Sequence, residues 1–300
     1  MSTYRPQIIN TIRTYQRGWL PSDISAGLAI AAVGLPSAIA YPAIAGLPAE
    51  AGLYASILAV VGYGIFGPSR RLIMGPDAAT MIMLAAVLAK LPSDSIADRM
   101  VAASAIALVV GCLCLMARLL RLDMVASFLS RPILIGFMTG ISLSILVGQI
   151  GRFTGVSIKA EGLFLPLTEL AANWRAVHVP TLVLAMSMLA LLLILNRIRF
   201  FVPGPVVVVA LSVALSWTFG FADLGIRVVG HVPNSFPSFA FPWPLPVRID
   251  QLVVDSLAVW LVSFSAGIVT ARAFGARGNY RVDAKAELTG FASANIASGF

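Results

Sequence analysis

Asp77 has the setting most suggestive of chemistry in this chain. It follows Gly75-Pro76 and precedes an apolar run of 12 residues, Ala78 to Ala89. A helix that crosses a membrane needs about 20 residues, so this run spans roughly half a bilayer. Irregular backbone at that depth survives only when protein buries it or it lines a wet cavity. A short hydrophobic segment broken by Gly and Pro is the sequence mark of a transporter's binding site. The first turn of such a half-helix carries free N–H groups and the positive end of the helix dipole, which together favour an anion. An anion held there would meet Gly75, Pro76, Asp77, Ala78 and Ala79. Thr80, one turn in, either reaches the same cavity or bonds the carbonyl four residues back. Asp77 itself has two readings. A carboxyl within the membrane marks an ion or proton path, and Asp is also a favoured N-cap. An ionised Asp77 would repel a bound anion, so the first reading has a proton accompany the anion. The rival reading of the whole segment is a re-entrant structural element or a kinked core helix.

Other chemistries find little support. Cys112 and Cys114 lie two apart in an apolar stretch, so they point to different sides of a helix and read as packing residues. His178 and His231 fall in loops without a second ligand at metal spacing. No nucleophile–base pair or phosphate-binding loop is present, and no cofactor or metal is expected. Hydrophobic residues make up 59% of the 300 and charged residues 11%, with a mean hydropathy of +0.91. That composition describes an all-α, polytopic membrane protein embedded in a lipid bilayer. The formal charge of +8 does not indicate nucleic acid, because the basic residues sit at helix ends.

Nine segments position the candidate site. An amphipathic stretch, Tyr4 to Trp19, leads in. The first span, about Ile24 to Gly46, carries Pro36 and Pro42. The second is about Ala51 to Phe66, and the half-helix is third. The fourth is about Met100 to Leu120. The fifth, about Phe128 to Ile150, opens on Arg131-Pro132 and has Gly136 and Gly140 spaced for close helix packing. Gly151 to His178 reads as a long loop. The sixth and seventh cover about Val179 to Leu195 and Pro205 to Phe221. Asp223 to Arg248 reads as an outer linker, the eighth span as about Asp250 to Phe274, and the ninth as about Ala286 to Phe300. Alternating these spans from a cytoplasmic N-terminus puts about two basic residues inside for each one outside, which fixes that orientation in the inner (plasma) membrane. Trp174, Trp217, Trp243 and Trp260 fit interface belts. Glu287, near the inner end of the ninth segment, is expected to pair with a neighbouring base. Arg70 and Arg71 are expected to anchor the inner interface.

Several stretches together resemble the sulfate permease (SulP, SLC26-type) anion transporters. They are Asp23-Ile-Ser-Ala-Gly-Leu, Leu35-Pro-Ser-Ala-Ile-Ala-Tyr41, Ala45-Gly-Leu-Pro48, Gly52-Leu-Tyr-Ala-Ser56 and Phe66-Gly-Pro-Ser-Arg70 with Gly75-Pro76. Arg131-Pro-Ile-Leu-Ile-Gly-Phe137, Val229-Gly-His-Val-Pro233, Ala271-Arg-Ala-Phe274, Glu287-Leu288 and Asn295-Ile296 continue the match in order. The resemblance implies two inverted repeats of seven segments and a core domain that moves against a gate domain. On that pattern residues 1–23 are the lead-in and 24–120 are core segments one to four. Residues 121–249 are gate segments five to seven with a linker, and 250–300 are core segments eight and nine. Segments ten to fourteen and the usual cytoplasmic STAS domain would follow Phe300. A non-transporting truncated product is therefore one open reading.

The resemblance also implies that Ser37 and Tyr41 line the anion site, although many relatives carry Gln and Phe there. Ordinary helix packing is the alternative for both. In the eighth segment Ala266 stands where many relatives have an acidic residue implicated in cation coupling. Ser263 and Ser265 remain as polar lining or as helix–helix contacts. The expected activity is secondary active transport of a small anion, sulfate or another inorganic oxyanion, with Asp77 as the coupling candidate and proton or sodium as the coupling ion. Bicarbonate or dicarboxylate transport, an uncoupled anion channel and a nucleobase carrier are the alternatives; an enzyme is not expected. Members of such a family often form homodimers.

Overall fold

The computed structural model describes residues 7–69, 71–93, 95–120, 131–158, 160, 164–198, 202–228, 241–278, 280 and 282–300. Within them the chain forms helices and no strand. The helices are α1 (Gln7–Thr14), α2 (Leu20–Ala40), α3 (Ala49–Phe66), α4 (Ala78–Leu88), α5 (Ile96–Leu119), α6 (Arg131–Thr154), α7 (Leu165–Ala172), α8 (Val179–Ile198), α9 (Gly204–Phe219), α10 (Ile249–Gly278) and α11 (Ala284–Ser298). Among the described residues, five stretches are long and apolar enough to cross a membrane: Arg17–Ala45, Ala49–Phe66, Ile96–Leu119, Val179–Ile198 and Ile249–Gly278. Two shorter apolar helices, α4 and α9, accompany them. This is an integral, multi-pass membrane protein.

Two compact units divide the chain. One comprises Met1–Gln16, Leu35–Leu134 and Val232–Phe300; the other comprises Arg17–Gly34 and Ile135–His231. In the first, α11 is the central helix and packs chiefly on α3 and α5, while α10 packs on α5 and α4. Glycines permit this closeness. A Cβ on Gly62 would lie 2.5 Å from the Ser293 carbonyl oxygen, and one on Gly111 would lie 2.6 Å from Ile296 Cγ1. Such contacts carry membrane bundles, where van der Waals packing must replace the missing hydrophobic drive between helices. Gly136 and Gly140 were expected to mediate close packing, yet a Cβ on either would meet no described atom within 4 Å. Small residues at that spacing permit an approach but do not compel one.

In the second unit, α7 occupies part of the stretch expected to be a loop. Pro166 in its first turn needs no acceptor there. Eight residues among mixed neighbours give too little periodicity to recognise. His178 joins this unit's turns: its N–H donates to the Thr154 carbonyl at 2.9 Å, and its ring Nδ1 lies 2.8 Å from Thr181 Oγ1. His231 lies outside the described residues, as do Arg70 and the Val229-to-Pro233 motif.

Other differences from the sequence reading have local causes. α2 stops at Ala40 and not near Gly46, because Pro42 cannot donate to the helix ladder and a 3-10 turn, Pro42–Ala45, follows. α10 runs one turn past Phe274, where Gly275 packs beside Val282 and its carbonyl accepts from the Tyr280 N–H at 3.0 Å. Trp260, read from sequence as an interface-belt residue, is half-buried. It packs between the two apolar clusters of the first unit and stacks on Phe264 at 5.6 Å. Cys114 is buried and Cys112 exposed, both as free thiols.

Lys90, just past α4, donates to Asp255 of α10 at 2.7 Å, with 55% of the lysine side chain and 11% of the aspartate side chain exposed. The aspartate is the member with little water to fall back on. Lys90→Met will therefore destabilise the protein by about 1–3 kcal/mol. Adding Asp255→Leu will recover most of that loss, because no buried charge is then left without a partner. Thermal unfolding followed by tryptophan fluorescence checks both.

Candidate functional site

The half-helix is set by local chemistry. α3 ends at Phe66, and Gly67-Pro68 prevents its continuation. Residues 71–76 have no regular structure, and the backbone of Asp77 is extended (φ −122°, ψ 158°). α4 has 11 residues, so it is about 16 Å long at 1.5 Å per residue. It ends before Pro92, with Lys90 N–H turning back to the Val87 carbonyl at 3.1 Å.

Asp77 is the N-cap of α4. Its Oδ1 accepts from the Thr80 N–H at 3.0 Å, and its Oδ2 accepts from Thr80 Oγ1 at 2.5 Å. Thr80 thus donates three residues back to the cap and not to the carbonyl four residues back. The Asp77 carbonyl takes the Met81 N–H at 3.0 Å. The N–H groups of Ala78 and Ala79 donate to no described residue. They are the free donors of the half-helix, and the dipole adds partial positive charge at the same place.

Asp77 and Thr80, at this helix start, border a cavity of ≈ 410 Å³ whose described wall residues all belong to the first unit. Met74, Gly75, Pro76, Asp77, Thr80, Met81 and Leu84 supply one side. Tyr54 and Leu58 of α3, Ser104 and Ala107 of α5, Val259 and Ser263 of α10, and Asn295 and Ser298 of α11 are among the residues on the other sides. Most of the wall is apolar, with a few convergent polar groups, which is the usual makeup of a small-ligand site.

Of the residues proposed from sequence, Gly75, Pro76, Asp77 and Thr80 come together on this wall. Ser37, Tyr41, Ala78, Ala79, Ser265 and Ala266 do not line it. Ser37 and Tyr41 are half-buried at the end of α2, where the Tyr41 N–H donates to the Ser37 carbonyl at 2.9 Å. Ser265 is exposed; it lies two residues beyond Ser263, about 200° around the helix. Sequence reading missed Tyr54, Ser104, Asn295 and Ser298 as wall residues. The signal that could have found them is a polar group inside an otherwise apolar span. Among the described residues, no three His, Cys, Asp or Glu side chains cluster to hold a metal.

Glu287 does not meet a base among the described residues. Its carboxylate accepts from Tyr63 Oη at 2.6 Å and from Ser69 Oγ. Arg118, which reaches α11 nearby, donates to Thr289 Oγ1 at 2.6 Å.

A short helix that opens on a cavity inside a multi-pass helical protein is an arrangement found in membrane carriers. The chain belongs to the Sulfate permease family, whose sequence profile matches residues 20–300. A probable sulfate transporter of Mycobacterium tuberculosis (strain ATCC 25618 / H37Rv) is 41% identical over 96% of this chain and 51% of its own length. The chloroplastic sulfate transporter 4.1 of Arabidopsis thaliana is 28% identical over 95% of this chain and 43% of its own. The chain therefore spans about half the length of these curated relatives. The fold matches murine solute carrier 26 family member A9, an anion transporter in the inward-facing state, with a TM-score of 0.70 at 18% identity, over 100% of this chain and 57% of that one. It also matches the transmembrane domain of a cyanobacterial bicarbonate transporter, with a TM-score of 0.69 at 22% identity, over 93% of this chain and 71% of that one.

Proposed function

We propose that this chain is the part of a secondary transporter that holds a small anion, sulfate or a related inorganic oxyanion, at the N-terminus of α4. The observation that carries this reading is the pair of unpaired N–H groups at Ala78 and Ala79, at the start of a half-helix that borders a cavity in a protein of this family. Sulfate is favoured over bicarbonate because the 41% identical relative is a probable sulfate transporter. The unit built on α3, α4, α5, α10 and α11 acts as the moving core, and the unit built on α6 to α9 acts as the gate. The N-terminus lies in the cytoplasm and the protein in the inner (plasma) membrane, as the distribution of basic residues suggests. Ser37, Tyr41, Ser265 and Ala266 complete the site in another position of the transport cycle, and Asp77 couples a proton to the anion.

Uptake of radiolabelled sulfate, bicarbonate and succinate into proteoliposomes holding the full gene product tests this. Saturable sulfate uptake that an inward proton gradient drives is the expected outcome. Current that rises with anion concentration without saturating would instead make the protein an uncoupled channel.

A further inference from the structure

Glu287 is the first-turn carboxyl of α11. It is fully buried, with 0% of its surface exposed, and it is not part of the cavity wall. Its two oxygens take two donors from two different places: Tyr63 Oη on α3, and Ser69 Oγ in the turn that follows α3. The Ser69 N–H donates in addition to Tyr63 Oη at 3.3 Å, which closes a triangle. The turn is held from the other side as well, since the Gly67 N–H donates to the Tyr63 carbonyl at 2.5 Å. The Tyr63 ring lies between Gly67 and Gly290. A Cβ on Gly290 would sit 2.6 Å from Tyr63 Cε2 and 2.8 Å from the Gly67 Cα. On its remaining side the ring stacks on Phe291 at 6.1 Å.

A buried carboxyl is a poor way to gain stability, because apolar residues of similar volume hold a helix pair as well or better. What it does that they cannot is accept two directional bonds at once. Here those bonds fix the turn from which the chain sets out toward Asp77 and the free N–H groups of α4. Without the triangle, residues 71–77 would keep the packing of Leu72 and Met74 on the core and the Asp77 cap at their far end, but would lose the directional bonds at their near end.

We propose that Glu287, with Tyr63 and Ser69, is a latch that positions the half-helix and so sets the affinity of the site for its anion. The inference rests on the transport reading above. Glu287 acts through the turn and touches no substrate, so it is a positioning residue.

The test uses the full gene product in proteoliposomes, with Ser69→Ala, Tyr63→Phe, Glu287→Gln and Glu287→Ala. Thr289→Ala serves as the control; it removes another hydrogen bond made by α11, one that does not involve the turn. Loss of one latch bond is expected to raise KM for sulfate about fivefold or more and to leave kcat within about twofold. Amide hydrogen exchange across residues 71–77 should quicken by a similar factor, with no such change in Thr289→Ala. Glu287→Gln keeps one acceptor oxygen and should fall between the wild type and Glu287→Ala. Unchanged KM and unchanged exchange in both Ser69→Ala and Tyr63→Phe would overturn the latch. Equal quickening in Thr289→Ala would overturn it too, by showing general loosening of α11. Should the wild type take up no anion, the transport reading falls, while the exchange data still decide whether the triangle holds residues 71–77.

Discussion

Asp77→Asn should free anion uptake from the proton gradient while leaving α4 intact. Asn is about as good an N-cap as Asp, so the amide oxygen still accepts the Thr80 N–H that Oδ1 now takes at 3.0 Å. What the substitution removes is the negative charge at the end of the helix where the anion is proposed to bind. Two like charges about 5 Å apart repel by roughly 3 kcal/mol at an effective dielectric constant of about 20. On the coupling proposed above, a proton taken up together with the anion would cancel that repulsion in the wild type. In Asp77→Asn the repulsion is always absent. KM for sulfate at neutral pH should then fall by roughly tenfold to a hundredfold, and an inward proton gradient should no longer accelerate uptake. Asp77→Ala makes the contrast. It removes the charge and the cap together and should cost about 1 kcal/mol of stability in addition. Gradient dependence that survives in Asp77→Asn would leave Asp77 as a cap alone and would move the coupling to another residue.

The second large effect falls on the fold. Gly62→Val or Gly111→Val should strongly destabilise the first unit, whereas Gly64→Val on the same helix as Gly62 should be nearly neutral. At Gly62 the first added carbon would meet backbone, the Ser293 carbonyl oxygen at 2.5 Å and its carbon at 2.9 Å. At Gly111 it would meet Ile296 Cγ1 at 2.6 Å and the Ala292 carbonyl oxygen at 3.1 Å. Backbone cannot rotate away as a side chain can, so α11 would have to move off α3 or α5. Overpacking of this kind costs about 3 kcal/mol, which corresponds to a fall in melting temperature of roughly 5 °C for a chain of 300 residues. A Cβ on Gly64 would meet no described atom within 4 Å. Melting curves from fluorescence-detected size-exclusion chromatography separate the three variants.

What the sequence determined by itself is the part written in local chemistry. Pro92 and the Gly67-Pro68 and Gly75-Pro76 pairs delimit α4 because proline removes donors and glycine breaks helix. Asp77 caps it because a short acceptor at that position reaches the Thr80 N–H three residues on. The apolar spans follow from length and composition, and motif order carried the family. The tertiary structure decided what lies around the half-helix. A membrane helix is apolar on all sides, so its periodicity does not reveal which face turns inward. Tyr54, Ser104, Asn295 and Ser298 therefore gave no directional signal until packing put them on one wall. The same limit separates Gly62 and Gly111, which touch α11, from Gly136 and Gly140, which meet no described neighbour. Glu287 shows it most plainly. Its donors lie 224 and 218 residues away in the chain, and only the approach of α11 to α3 makes two hydroxyls, and not a nearby base, the partners of that carboxylate.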